Sequence, residues 1–176
     1  FPKILLNILY PLSINFIVIR YDLLIFIYYS TVPNLENGQN LNWNKNTLCL
    51  ELHKRLIPSY NKTYRQFFGD GWQLASLRSG TQYSMIREDA LIYLFAQFAK
   101  HYHDGDVDCR HVIDLWVFRQ AYTAFNDAYV RTELKNLRLL AFYNSVQDMI
   151  AVWFGDAEAT EKTNFMTDYI FNSGAS

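Results

Sequence analysis

The sequence predicts an α+β chain: a small mixed sheet at the N-terminus followed by a mainly helical lobe of about five helices. Two observations carry this. Up to residue 58 the apolar residues are β-branched or alternate with polar ones, whereas from about residue 60 they recur at helical spacing. Composition agrees. Among 176 residues, 51% are hydrophobic and 19% charged, which suits a packed core and excludes disorder over most of the chain. The expected division is a sheet region over 1–58 and a helical lobe over 59–176.

Residues 1–32 are rich in Ile, Leu, Phe and Tyr, with only Lys3, Arg20 and Asp22 charged. Arg20 and Asp22 divide the run into pieces shorter than the roughly 20 residues that a membrane span needs. Ile14, Phe16 and Val18, then Ile25, Ile27 and Tyr29, fit buried strands better. No small-residue cleavage site follows, so a signal peptide is not indicated. Phe at position 1 leaves a fragment or a processed product open.

The stretch from Pro33 to Asn46 is polar and Asn-rich, and reads as a loop with a turn at Asn37-Gly38. TLCLELHKRL follows over 47–56. Period two puts Leu48, Leu50 and Leu52 on one face and Cys49, Glu51 and His53 on the other. Beyond Pro58, a short helix is expected over 60–68, ended by Gly69. The next is expected over 87–103, with Leu91, Leu94, Phe95 and Phe98 on one stripe and Glu88 and Asp89 in the first turn, where the macrodipole favours acids. Further helices are expected over 107–125, 128–137 (capped by Asn126-Asp127), 139–154 and 161–172.

Charge and cysteine content narrow the function classes. A net charge of −1 provides no basic field for non-specific nucleic-acid binding. Two cysteines, Cys49 and Cys109, exclude a disulfide scaffold and point to a reducing, cytoplasmic setting. Membrane association is not expected. No G-x-G-x-x-G, Walker loop or G-x-S-x-G elbow occurs.

The densest polar cluster is His101, His103, Asp104, Asp106, Asp108, Cys109 and His111. A calcium loop would need Gly and Glu where Cys109 and Leu115 stand. Zinc-type side chains occur at Cys49, His53, Cys109 and His111, but no paired C-x-x-C spacing supports such a site. A solvated interhelical loop with a capping Asp is the plain alternative. Glu51 and His53 likewise read either as a metal-presenting pair or as the solvent face of a half-buried strand.

Taken in order, LCLELHKRLIP, FFGDGWQLASL, EDALIYLFAQFAKHYHDGDVDCRHVIDLWVF, VWFGDA and YIFNSG resemble one family over about residues 41–176. It is the poorly characterised bacterial nucleotidyltransferase-like family of the polymerase-β-type superfamily. Lys100-His101, Arg110 and Asp114 occupy its motif places. The resemblance implies transfer of a nucleotidyl group from a nucleoside triphosphate, with magnesium, to an unknown acceptor. Asp22 and Glu51 would be its catalytic carboxylates, and Asp22, Glu51 and His53 its metal ligands. Lys100, His101 and Arg110 would reach the phosphates.

The chain also departs from the family pattern. No Gly precedes Gly38, so the family's Gly-Ser turn is missing. Leu24 stands where the second carboxylate of Asp-x-Asp belongs, Gln97 where members often have His, and Asp108 where a Gly usually precedes the Arg by two residues. One carboxylate does not neutralise two divalent cations. The second reading is therefore a catalytically inactive relic or fragment serving as a protein-interaction module through its aromatic side chains. A third holds residues 4–29 against a membrane.

Overall fold

The computed structural model describes residues 15–19, 23–29, 48–53, 56–57, 61–69, 71–79, 82–122 and 124–173, and only the backbone of 15–53 and of 78, 79 and 82. The chain forms two compact units, Phe1–Ile86 and Arg87–Ser176. It is α+β, with the strands ahead of most of the helices.

The first unit carries a five-stranded sheet: β1 (Asn15–Ile19), β2 (Leu23–Tyr29), β3 (Leu48–His53), β4 (Ala75–Ser79) and β5 (Gln82–Met85), in the order β3-β2-β1-β5-β4. Every pairing among these strands is antiparallel, so the expected mixed sheet is corrected to an antiparallel one. The β-branched runs flagged in the sequence are strands. In the β1–β2 register, Ile17 sits opposite Ile25 and Val18 opposite Leu24. Along β3, Glu51 pairs with Phe26 and His53 with Leu24, so Cys49, Glu51 and His53 occupy alternate positions of a strand at the sheet edge.

The helical region begins later than residue 59. After α1 (Lys62–Phe68) and a single 3₁₀ turn at Trp72–Leu74, the chain returns to the sheet as β4 and β5. ASLRS and QYSM are short and largely polar, and give no period-two signal strong enough to mark them as strands. Pairing supplies what propensity lacks: β5 adds to β1 at Val18↔Tyr83, and β4 follows through an irregular register between Leu77 and Ser79. Asn61 caps α1 by accepting from the Tyr64 N–H at 3.1 Å. Gly69 ends that helix at φ 57°, a conformation glycine adopts without Cβ strain.

The second unit contains, among the described residues, five helices: α2 (Arg87–Asp104), α3 (Cys109–Ala121), α4 (Asp127–Asn136), α5 (Leu140–Phe154) and α6 (Glu161–Ser173). Three of the four residues of the α2 stripe read from the sequence are core, and Leu94 is half-buried. Leu91, Phe95 and Phe98 of α2 are buried with Val112 and Leu115 of α3 and Met149 of α5. Asn126 caps α4 as expected, accepting from the Tyr129 N–H at 3.1 Å. None of the helices among the described residues is long and apolar enough to cross a membrane.

Candidate functional site

The polar cluster falls where α2 turns into α3. The turn is made at Gly105, whose φ of 80° lets both its own N–H and that of Asp106 donate to the His101 carbonyl, at 3.0 and 3.2 Å. Val107 then plugs the corner into the core, fully buried. Asp108, extended at φ −130° and ψ 172°, caps α3 and accepts from the Arg110 N–H at 2.9 Å. The Asp that departs from the family's usual Gly is thus the residue that starts the helix.

Lys100, His101 and Arg110 are brought to this one corner, and each already faces a carboxylate. Lys100 Nζ lies 3.7 Å from Asp104 Oδ2, one helical turn on. Arg110 Nη2 lies 3.8 Å from Asp108 Oδ2. His101 Nδ1 lies 2.9 Å from Asp106 Oδ1, a contact that is an ion pair only when the ring is protonated. Burial pulls the His101 imidazole below its ordinary value. Asp106 opposes that shift, while the charges of His111 and Lys100 add to it.

His111, weighed in the sequence only as a zinc-type side chain, has a structural role at the start of α3. Its ring centroid lies 4.8 Å from that of His101 and 5.8 Å from that of Phe98, stacked on the latter. Its Nδ1 returns to Asp108, completing a capping box in which His takes the place usually held by Glu or Gln. The Asp-x-x-His spacing at 108–111 was the available signal. Asp114, one turn further along α3, is partly buried. Burial pushes its carboxyl up to about 6 despite the nearby Arg110 and His111 charges. Asp108 moves the other way: its burial is outweighed by the His111 hydrogen bond and the Arg110 guanidinium, which hold it at about 2.

The remaining residues expected at the site belong to the first unit. Asp22 falls outside the described residues, as do the side chains of Glu51 and His53, whose backbones form the end of β3. Among the described residues no group of three His, Cys, Asp or Glu side chains is arranged to hold a metal ion.

The model of the family described as uncharacterised nucleotidyltransferase matches residues 25–155, about three quarters of the chain. The chain belongs to that family and carries a nucleotidyltransferase-like domain. The match starts within β2 and ends just after α5, so it takes in Glu51, His53, Lys100, His101 and Arg110 but neither Asp22 nor α6. No curated protein and no solved structure matches the chain.

Proposed function

We propose that the chain binds a nucleoside triphosphate and transfers its nucleotidyl group to an acceptor. The acceptor's hydroxyl oxygen forms the new bond to the α-phosphorus as pyrophosphate leaves. What carries this reading is the family match over residues 25–155, supported by Lys100, His101 and Arg110 meeting at one corner of the helical unit. In that unit these three donate to phosphate oxygens, exchanging their present carboxylate partners for the nucleotide. In the sheet unit, Asp22 and Glu51 take the metal role, with His53 as an adjoining ligand and magnesium as the ion.

A specific observation favours a second reading. Asp104, Asp106 and Asp108 already face the three basic groups, and Asp114 adds a further carboxyl on α3. Incoming phosphate must displace these partners. An inactive member acting as an interaction module would instead keep them, and Phe165 and Phe171 of α6, 67% and 59% exposed, offer apolar contact surface.

Calorimetric titration of magnesium–ATP into the full chain separates the two. Micromolar binding that is weakened at least tenfold by Glu51→Ala, by Asp22→Asn and by Arg110→Ala supports the transferase reading. A folded chain that gives no binding heat overturns it and leaves the module.

A further inference from the structure

One nitrogen of His111 has two incompatible partners on Asp108. Nδ1 lies 3.3 Å from the Asp108 backbone N–H and 3.1 Å from Asp108 Oδ1, with the Asp108 carbonyl also at 3.3 Å. Without a proton, Nδ1 accepts from the N–H, satisfying a donor left over at the helix start. With a proton, it donates to the carboxylate, and the N–H loses its acceptor. The two bonds do not coexist.

We propose that His111 is a proton-operated cap of α3, in which the imidazole exchanges the Asp108 backbone N–H for the Asp108 carboxylate when Nδ1 gains its proton. The acceptor for the charged state is always present, because Asp108 stays ionised far below the range where an imidazole titrates. The ring's surroundings hold it in both states. Phe98 stacks on it, and the backbone of α3 fixes its root.

The charged and titratable groups around the ring set the balance. From α2 come Lys100, His101 and Asp104, and from the connecting turn Asp106 and Asp108. On α3 itself, Arg110 and Asp114 stand at neighbouring positions of the same helix. α5, also packed on α3, carries Tyr143, which is bonded to Arg119 toward the far end of α3, and Asp148, which is exposed. A charged His111 adds positive charge to the corner holding Lys100, His101 and Arg110 and loosens the first turn of α3 at the same moment. The proposal rests on this geometry and not on the transferase reading.

The test is ring-nitrogen NMR of the full ¹⁵N-labelled chain between about pH 5 and pH 8. The expected result is a neutral His111 protonated at Nε2, with the Asp108 amide proton moving upfield on acidification at the same midpoint as the His111 ring. In His111→Gln, whose amide oxygen accepts from the same N–H at every pH, that step disappears. A neutral ring protonated at Nδ1, an Asp108 amide indifferent to the His111 midpoint, or a step that survives in His111→Gln overturns the proposal. Should the variant not fold, the ring tautomer and amide shift of the unsubstituted chain decide the matter.

Discussion

The Tyr129 hydroxyl donates to Asp89 Oδ1 at 2.7 Å, joining the first turn of α4 to the first turn of α2. Beside it, Glu88 accepts from the Asn126 N–H at 3.0 Å and Arg87 donates to the Ala124 carbonyl at 2.8 Å. Three successive residues of α2 thus hold the segment entering α4. Asp89 is only 5% exposed, and burial raises its carboxyl above the ordinary value, with the Tyr129 hydrogen bond partly opposing the shift.

Tyr129→Phe removes the partner and leaves the carboxyl buried. The expected cost is on the order of 1–3 kcal/mol in denaturant unfolding near neutral pH. The sign with pH follows from the raised value. The folded chain holds the Asp89 proton more tightly than the unfolded one, so stability is lost as pH rises through the folded value. Without the hydroxyl that value rises further, so the penalty of Tyr129→Phe shrinks on acidification. A penalty independent of pH would contradict this account.

Asp114 gives a second pH-dependent term. Its folded value of about 6 lies above the ordinary 3.8, so its contribution is most favourable below about pH 4 and declines up to about pH 6. Asp114→Asn is expected to stabilise the chain by on the order of 1–3 kcal/mol at about pH 8 and to leave it unchanged at about pH 4. Unfolding midpoints at the two pH values check it.

Asp108→Ala removes the cap of α3. The expected loss near neutral pH is about 1–2 kcal/mol, the usual range for an N-cap. Here the folded value is depressed, so the stabilisation is present above the ordinary 3.8 and is lost as pH falls toward about 2. Comparing the variant with the unsubstituted chain across that range should show the difference closing.

Gly105→Ala tests the corner itself. A Cβ there would meet only Tyr169 Oη, at an ordinary 3.7 Å, so space is not the obstacle. The φ of 80° is, and the expected cost is on the order of 1 kcal/mol in an unfolding titration. Gly105→Asn, which tolerates that backbone better, should recover part of it.

The helical unit was largely legible because its apolar residues sit at 3.6-residue spacing between recognisable ends. Leu91, Phe95 and Phe98 marked the buried stripe of α2, and Asn126 marked the start of α4. β4 and β5 were not, because a short polar strand owes its conformation to the neighbour it pairs with. At the corner, the basic residues were visible by type and order. Their pairing with Asp104, Asp106 and Asp108 was not, since it depends on how Gly105 reverses the chain and on which residue becomes the cap. The role of His111 was hidden for the same reason: a His at the third helical position looks like any surface imidazole until Asp108 is known to start the helix.

The central position of β1 has a consequence for how the chain is made. Its apolar NFIVI backbone pairs with β2 on one side immediately, but on the other side it waits for β5, more than sixty positions later in the chain. At ribosomal rates of about 5–20 residues per second, that edge stays unpaired for several seconds in every new copy. A nascent chain halted between β3 and β5 therefore presents an open apolar template to any neighbouring chain. The yield of well-folded protein should therefore respond to translation speed through residues 54–81.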